Sequence, residues 1–211
     1  MRRAANATLV ALLLGACASA PAPTAAWVDL FDGQTLGAFA PTEFGGQGAV
    51  AVHEGAIQLE FGSPLSGITW QGALPQGEYE VEVTAARVSG NDFFCALTFP
   101  VGQDHLTLVL GGWGGTVCGL SSLDGLDAAH NETRTLRRFE AGRYYTTRVV
   151  VRAATVEAHL DGELLCRMNR ADHTLSLRPE VQLSRPLGIA NFATVAAVRS
   201  VRWRPLAATS R

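Results

Sequence analysis

Residues Glu78–Ala85 set Tyr79, Val81, Val83 and Ala85 against Glu78, Glu80, Glu82 and Thr84, one apolar side chain for every polar one. A period of two matches the pleat of a β-strand, so the stretch turns one face to a core and the other to water. The pattern returns at His105–Leu110, where Leu106, Leu108 and Leu110 alternate with His105, Thr107 and Val109. It returns again at Tyr144–Arg152, at Val156–Leu160 and at Arg199–Arg204. Asp92–Phe99 is more uniformly apolar and reads as a strand covered on both faces. An Asp161-Gly162 pair between two alternating runs predicts a hairpin. Further turn signals lie at Asp32-Gly33, Glu54-Gly55, Pro75-Gln76-Gly77 and Ser89-Gly90-Asn91-Asp92. Outside the first residues no window of eleven or more carries a helical stripe. The chain is therefore expected to be all-β, a jelly-roll-like β-sandwich of two antiparallel sheets.

The first residues need separate treatment. Arg2 and Arg3 precede the short apolar run Ala7–Gly15, which ends in Leu14-Gly15-Ala16-Cys17. That layout predicts a secretory signal over residues 1–16. The placing of Cys17 resembles the bacterial lipoprotein signal, in which the cysteine is lipidated and becomes the new N-terminus. An ordinary signal cleaved near Ala18-Ser19-Ala20 is the alternative. The run is too short to span a bilayer, which takes about 20 residues. Residues 17–26 then read as the lipidated cysteine and a flexible, proline-bearing tether, and residues 27–207 as one β-sandwich domain. The expected location is the cell envelope of a bacterium, at the periplasmic face or the outer membrane, with the lipid anchor as the sole membrane contact.

A net charge of −2 gives no reason to expect nucleic acid as a partner. All 17 basic residues are arginine, which composition alone does not turn into a function. Cys95, Cys118 and Cys166 lie in apolar, strand-like surroundings, where a free thiol behaves as a small hydrophobe. No C-x-x-C spacing, G-x-S-x-G, H-E-x-x-H, phosphate loop or dinucleotide fingerprint is present. Serine-hydrolase, zinc-protease and nucleotide-dependent classes lose their basis, and no cofactor is expected.

The longest break in the alternation runs from Gly111 to about Arg134, beyond the 12–15 residues usual for a passive loop. Asp124, Asp127 and Glu132 place three carboxylates here, with His130 and Asn131 among them. Trp113 stands between glycine pairs, where its indole offers either a stacking surface for a sugar ring or a lid folded back on the core. Asp124-Gly125 also suits a plain turn, and Asp127 suits a cap on a helical turn through Asn131. The carboxylates could also hold a hard cation such as calcium through oxygen ligands, although their spacing does not match an EF-hand. His105 heads the strand before the loop, and Asp92 lies near the preceding one. Trp70, Tyr79 and Trp203 read as packing residues.

Two end segments and a middle one carry a family resemblance. "WVDLFDGQTLGAF" (27–39) and "RPLGIANFATVAAVRSVRWRPL" (185–206) resemble the opening motif and closing strands of the 3-keto-disaccharide hydrolase domain family. "GNDFFCALTFPVGQDH", "LGGWGGTVCGLSSLDG" and "NET" resemble a planctomycete-type lipoprotein subgroup of it. The closing segment is richer in alanine than the family's glycine-bearing version. The resemblance implies a concanavalin A-like sandwich acting on glycosides oxidised to a ketone at C3. Such a ketone acidifies the C2 proton, so a base can form an enolate that expels the C1 leaving group. By residue type and loop position, Asp127 and Glu132 are the candidate base and acid. His105, His130 or a cation would steady the oxyanion. A non-catalytic glycan-binding module is the competing expectation: there Trp113 stacks on sugar while Asp92, Asp124 and Asn131 bond hydroxyl groups.

Overall fold

The computed structural model describes residues 25–74 and 76–207. The expected signal, Cys17 and most of the tether lie outside the described residues, as does Pro75 of one expected turn. The strands, in chain order, are β1 (Val28–Asp29), β2 (Phe39–Pro41), β3 (Val50–His53), β4 (Ala56–Leu59), β5 (Leu65–Trp70), β6 (Tyr79–Gly90), β7 (Cys95–Val101) and β8 (Asp104–Gly112). They continue with β9 (Val117–Ser121), β10 (Thr135–Leu136), β11 (Tyr144–Val151), β12 (Thr155–Leu160), β13 (Glu163–Asn169), β14 (Gly188–Phe192) and β15 (Thr194–Pro205). Two short 3₁₀ turns, Arg170–Asp172 and Pro179–Ser184, interrupt the path between β13 and β14. Among the described residues no helix is long and apolar enough to cross a membrane.

The strands form two antiparallel sheets, as the alternation predicts. The first runs β13-β12-β11-β6-β15-β4-β3, with β1 also paired to β15. The second runs β10-β9-β8-β7-β14-β5-β2. Asp161-Gly162 makes the β12–β13 hairpin, with both residues at positive φ. The long break in the alternation after Gly111 itself contains a short strand, β9.

Register explains the core. In the second sheet Ile68, Ile189, Leu97, Leu108 and Leu120 stand side by side across five strands, all fully buried. The first sheet answers with Trp203, Val81, Val149, Ala158 and Cys166 in one row. Each fully buried Leu or Ile contributes about 1.5–3 kcal/mol through surface removed from water. Tyr79 stacks on Trp203 with centroids 3.7 Å apart, which makes both of them packing residues. The three cysteines are free and buried; burial pushes the Cys95 and Cys166 thiols up to about 12 and Cys118 up to about 11, so they stay unreactive.

The two outer faces differ in kind. On the first sheet Glu80, Glu82, Arg148, Arg202 and Arg204 form a cross-strand ladder, with Arg202 2.6 Å from Glu82 and Arg148 3.2 Å from Glu80. Three of the 17 arginines stand there. The outer face of the second sheet carries small and hydroxyl side chains instead. One row reads Thr69, Gly188, Thr98, Thr107, Ser121, and the next reads Gly67, Ala190, Ala96, Val109, Gly119. These positions are buried because other segments lie over them. The turn Pro179–Ser184 approaches so closely that a Cβ on Gly188 would meet the Ser184 carbonyl oxygen at 2.5 Å.

Candidate functional site

That outer face holds a cleft of about 260 Å³. Its floor is Ala96, Thr107, Val109 and Ser121; Leu65 and Phe192 close one side. One wall is Asp92, Phe93 and Trp113, and the facing wall is Arg178, Glu180 and Val181. A mostly apolar cavity with a few convergent polar groups is the usual form of a small-molecule site.

The first wall is built by two tight loops held together. Between β8 and β9 the amides of Gly115 and Thr116 both donate to the Gly112 carbonyl oxygen, at 3.2 and 3.3 Å. This turn puts Trp113 at its tip with φ +48°, a conformation that costs a non-glycine residue about 1 kcal/mol or more. Trp113 is 40% exposed, so the turn holds the residue at the surface rather than folding it into the core. Gly115 is required behind it: at φ +100°, a Cβ there would stand 2.8 Å from the Arg87 guanidinium. Asp92 ties this loop to the one before β7. Its Oδ1 accepts the Phe93 amide at 2.8 Å and its Oδ2 accepts the Gly114 amide at 3.4 Å. Phe93 faces outward against Phe192, 5.5 Å between centroids, while the adjacent Phe94 is fully buried inside the sandwich.

The second wall comes from the segment between β13 and β14. Arg178 donates from Nε and Nη2 to Glu180 Oε1, at 3.1 and 2.5 Å. Its Nη1 donates to Asp127 Oδ2 at 3.1 Å. Burial is the largest single influence on the Glu180 carboxyl and acts to raise it, but the Arg178 hydrogen bond, the group's own backbone amide and the Arg178 charge together leave it below its ordinary value. The Glu180 hydrogen bond holds the Arg178 guanidinium charged.

The acidic half of the loop after β9 supports this wall from behind. Leu123 and Leu126 close a turn through Asp124 and Gly125, both at positive φ. Asp127 is largely buried; its Oδ1 accepts the Ala129 amide at 3.0 Å and lies 2.7 Å from His130 Nδ1. Asn131 is buried within the loop, where its Nδ2 donates to the Leu120, Leu126 and Asp127 carbonyls and its Oδ1 accepts from Thr133. Asp124 and Glu132 meet at one histidine. His173 Nδ1 is 2.7 Å from Asp124 and its Nε2 is 2.8 Å from Glu132. The hydrogen bond to Asp124 is the main cause that raises the His173 imidazole above its ordinary value, and it lowers Asp124 in return.

Of the sequence-expected residues, the fold brings Asp92 and Trp113 to the cleft itself. Asp127 stands one hydrogen bond behind it, through Arg178. Asp124, Glu132, His130 and Asn131 join the loop that carries Asp127. His105 sits at the far end of β8, roughly eight residues and 26 Å of strand from Trp113. There it lines a separate hollow of about 570 Å³ with Tyr79, Arg152 and Arg170. Burial, more than neighbouring charge, holds its imidazole below the ordinary value. Among the described residues no group of three or more His, Cys, Asp or Glu side chains is placed to hold a metal ion. Sequence reasoning missed Arg178, Glu180, His173 and Phe93. Phe93-Phe94 held a usable signal, since alternation sends one of an adjacent pair outward.

Comparison with protein-family models finds no match, and neither does comparison with curated proteins. Solved structures do match, at identities that speak to the fold. The carbohydrate-binding module CBM66 from Bacillus subtilis aligns at TM-score 0.57 and 12% identity, covering 81% of this chain and 96% of that one. Domain 4 of AbnA, a GH43 extracellular arabinanase from Geobacillus stearothermophilus solved with arabinotriose, aligns at 0.58 and 15%, covering 90% and 96%. The Crh5 transglycosylase in complex with NAG aligns at 0.59 and 12%, covering 88% and 85%. The chain thus has the concanavalin-like, jelly-roll sandwich that recurs in carbohydrate-binding and glycoside-cleaving domains.

Proposed function

We propose that the protein is carbohydrate-active and takes a saccharide in the Trp113 cleft. The observation that carries this reading is the exposed indole held at a strained turn over a floor of small side chains, facing Arg178 and Glu180. An indole face suits the C–H surface of a pyranose ring, and Asp92, Arg178, Glu180, Thr107 and Ser121 offer hydrogen bonds to hydroxyl groups. That several neighbours by fold are named for carbohydrate binding or glycoside cleavage supports the same reading. Export and a lipid anchor at Cys17 belong to it on the sequence alone; Cys17→Ala should move the protein from the membrane to the soluble fraction, and unchanged partition would remove the anchor.

A second reading is cleavage of 3-keto-glycosides, and the placement of Asp92, Glu180 and Arg178 around one cleft favours it. One carboxylate would remove the C2 proton, and the C–H electron pair would form the enolate, its oxygen facing Arg178. Collapse of the enolate would break the C1–O bond, with the leaving oxygen taking a proton from the second carboxyl group; water would then add to the resulting enone. Asp127 and Glu132, the pair expected from the sequence, are already engaged by Arg178 with His130 and by His173, respectively. The test is turnover of a 3-keto-disaccharide beside its unoxidised parent. Glu180→Gln or Asp92→Asn should cut the rate by about 10²–10⁴ if these groups transfer protons. Loss confined to Asp127→Asn and Glu132→Gln would return the chemistry to the loop pair. No turnover by the parent protein, with saturable binding retained, leaves a binding module.

A further inference from the structure

The charges around the cleft say which saccharides it accepts. An arginine in a sugar site is the natural partner of an acidic sugar, because its planar fork matches a carboxylate or sulfate with two parallel hydrogen bonds. Arg178 is the only cation lining this cleft among the described residues, and three of its five N–H groups are already engaged by carboxylates. Glu180 takes Nε and Nη2 and Asp127 takes Nη1. Asp127 is 14% exposed and anchored by the Ala129 amide and His130, so it is a fixed partner rather than a passing one. Across the cleft Asp92 adds a further carboxylate with no cation among its hydrogen-bond partners. The other arginine nearby, Arg87, does not line the cleft; its guanidinium donates to the Gly115 and Phe139 carbonyl oxygens. The lining therefore carries two carboxylates against one guanidinium, and Asp127 supplies a third carboxylate behind it.

We infer that the cleft discriminates against acidic saccharides, and that Asp127 and Glu180 set this by clamping Arg178. A uronate or sulfate entering the cleft would meet the field of Asp92 and Glu180 and find the Nε–Nη2 edge of Arg178 already occupied by Glu180, with its charge offset by Glu180 and Asp127. A neutral sugar keeps every polar group useful: the carboxylates accept from its hydroxyl groups, and the Arg178–Glu180 pair stays intact. Asp127 thereby becomes a specificity-determining residue that need not touch the ligand. This rests on the saccharide reading above and adds to it the class of sugar.

The test is a calorimetric titration of the purified chain with two sets of probes. The neutral set is cellobiose, maltose and lactose; the acidic set is glucuronate-bearing disaccharides prepared from hyaluronan and from glucuronoxylan. The wild type should bind a member of the neutral set at least tenfold more tightly than any acidic one. Asp127→Asn keeps the side chain's shape and should narrow that gap about tenfold, the scale of one charge-assisted hydrogen bond, by strengthening acidic binding. Glu180→Gln should act in the same direction, and Arg178→Gln should not improve acidic binding. Acidic probes bound as tightly as neutral ones by the wild type would overturn the inference and leave the saccharide reading standing. An unchanged gap in both carboxylate variants, with their thermal melting preserved, would overturn the role of the clamp. Failure of every probe to bind would overturn the saccharide reading and this inference together.

Discussion

At the residue scale, Asn131 shows how a polar group in a functional-looking loop can be structural. Loop position, neighbouring carboxylates and residue type all point outward to a hydroxyl-binding role, yet the side chain is buried and satisfied on every side by its own loop. Asn131→Ala would remove the Nδ2 bonds to the Leu120, Leu126 and Asp127 carbonyls and leave the buried Thr133 amide without its Oδ1 acceptor. Each buried group left unsatisfied costs about 1–3 kcal/mol. Chemical denaturation should therefore show a loss of about 3 kcal/mol, and a loss below about 0.5 kcal/mol would mean that the loop stands without it. Trp113 is the converse case. Its flanking glycines were readable as a device for exposing the ring, and the positive φ at its own position is the physical form of that device.

At the scale of elements, the segment between β13 and β14 is what the sequence hid. It has no alternation and no helical stripe, and its contacts are made with partners 49 to 51 residues away in the chain. Those contacts pair a strand-like stretch with the acidic loop: the Ser122 and Ser176 backbones exchange hydrogen bonds, and the Thr174 amide donates to Asp124. His173 closes the joint between Asp124 and Glu132, with Asp172 a further favourable charge nearby. The sign of its pH dependence follows from the shifts. A raised histidine stabilises fully below its unfolded value of 6.5 and loses that contribution as pH rises through the folded one. A lowered Asp124 stabilises fully above 3.8 and loses that as pH falls through its folded value. The joint should thus be tightest between about pH 4 and 6.5. Hydrogen exchange of the Asp124 and Ser176 amides, corrected for intrinsic rates, should show protection falling from pH 6 to pH 8. His173→Gln should flatten that dependence. An unchanged profile in the variant would remove His173 from the joint.

At the scale of the whole molecule, the division between legible and hidden follows the range of the interactions. β6, β11, β12 and β15 were readable because one half-buried strand carries its own evidence in its period; β8 showed the same period, but segments laid over the second sheet bury its outer face as well. β7 was readable as covered on both faces, and its residues are buried almost throughout. The two-sheet architecture followed from strand number and turn spacing. The cleft did not, because it is assembled from β-strand positions and loops that meet only in the folded sandwich. The sequence pointed to Trp113, Asp92 and the acidic loop but could not pair them with Arg178 and Glu180. Nor could it separate His105 from Trp113, since both flank one strand and only the length of β8 puts them at opposite ends.

The central claim, that a saccharide is held on the second sheet against Trp113, is open to one direct measurement. The indole N–H resonances of Trp27, Trp70, Trp113 and Trp203 can be followed in a two-dimensional nitrogen–proton spectrum, with the Trp113 peak identified by its loss in Trp113→Phe. Titration with the neutral disaccharide panel should shift the Trp113 peak saturably while that of the buried Trp203 stays still. Saturable binding that leaves Trp113 unmoved, and that survives Trp113→Ala at full affinity, would place the ligand elsewhere and contradict the claim.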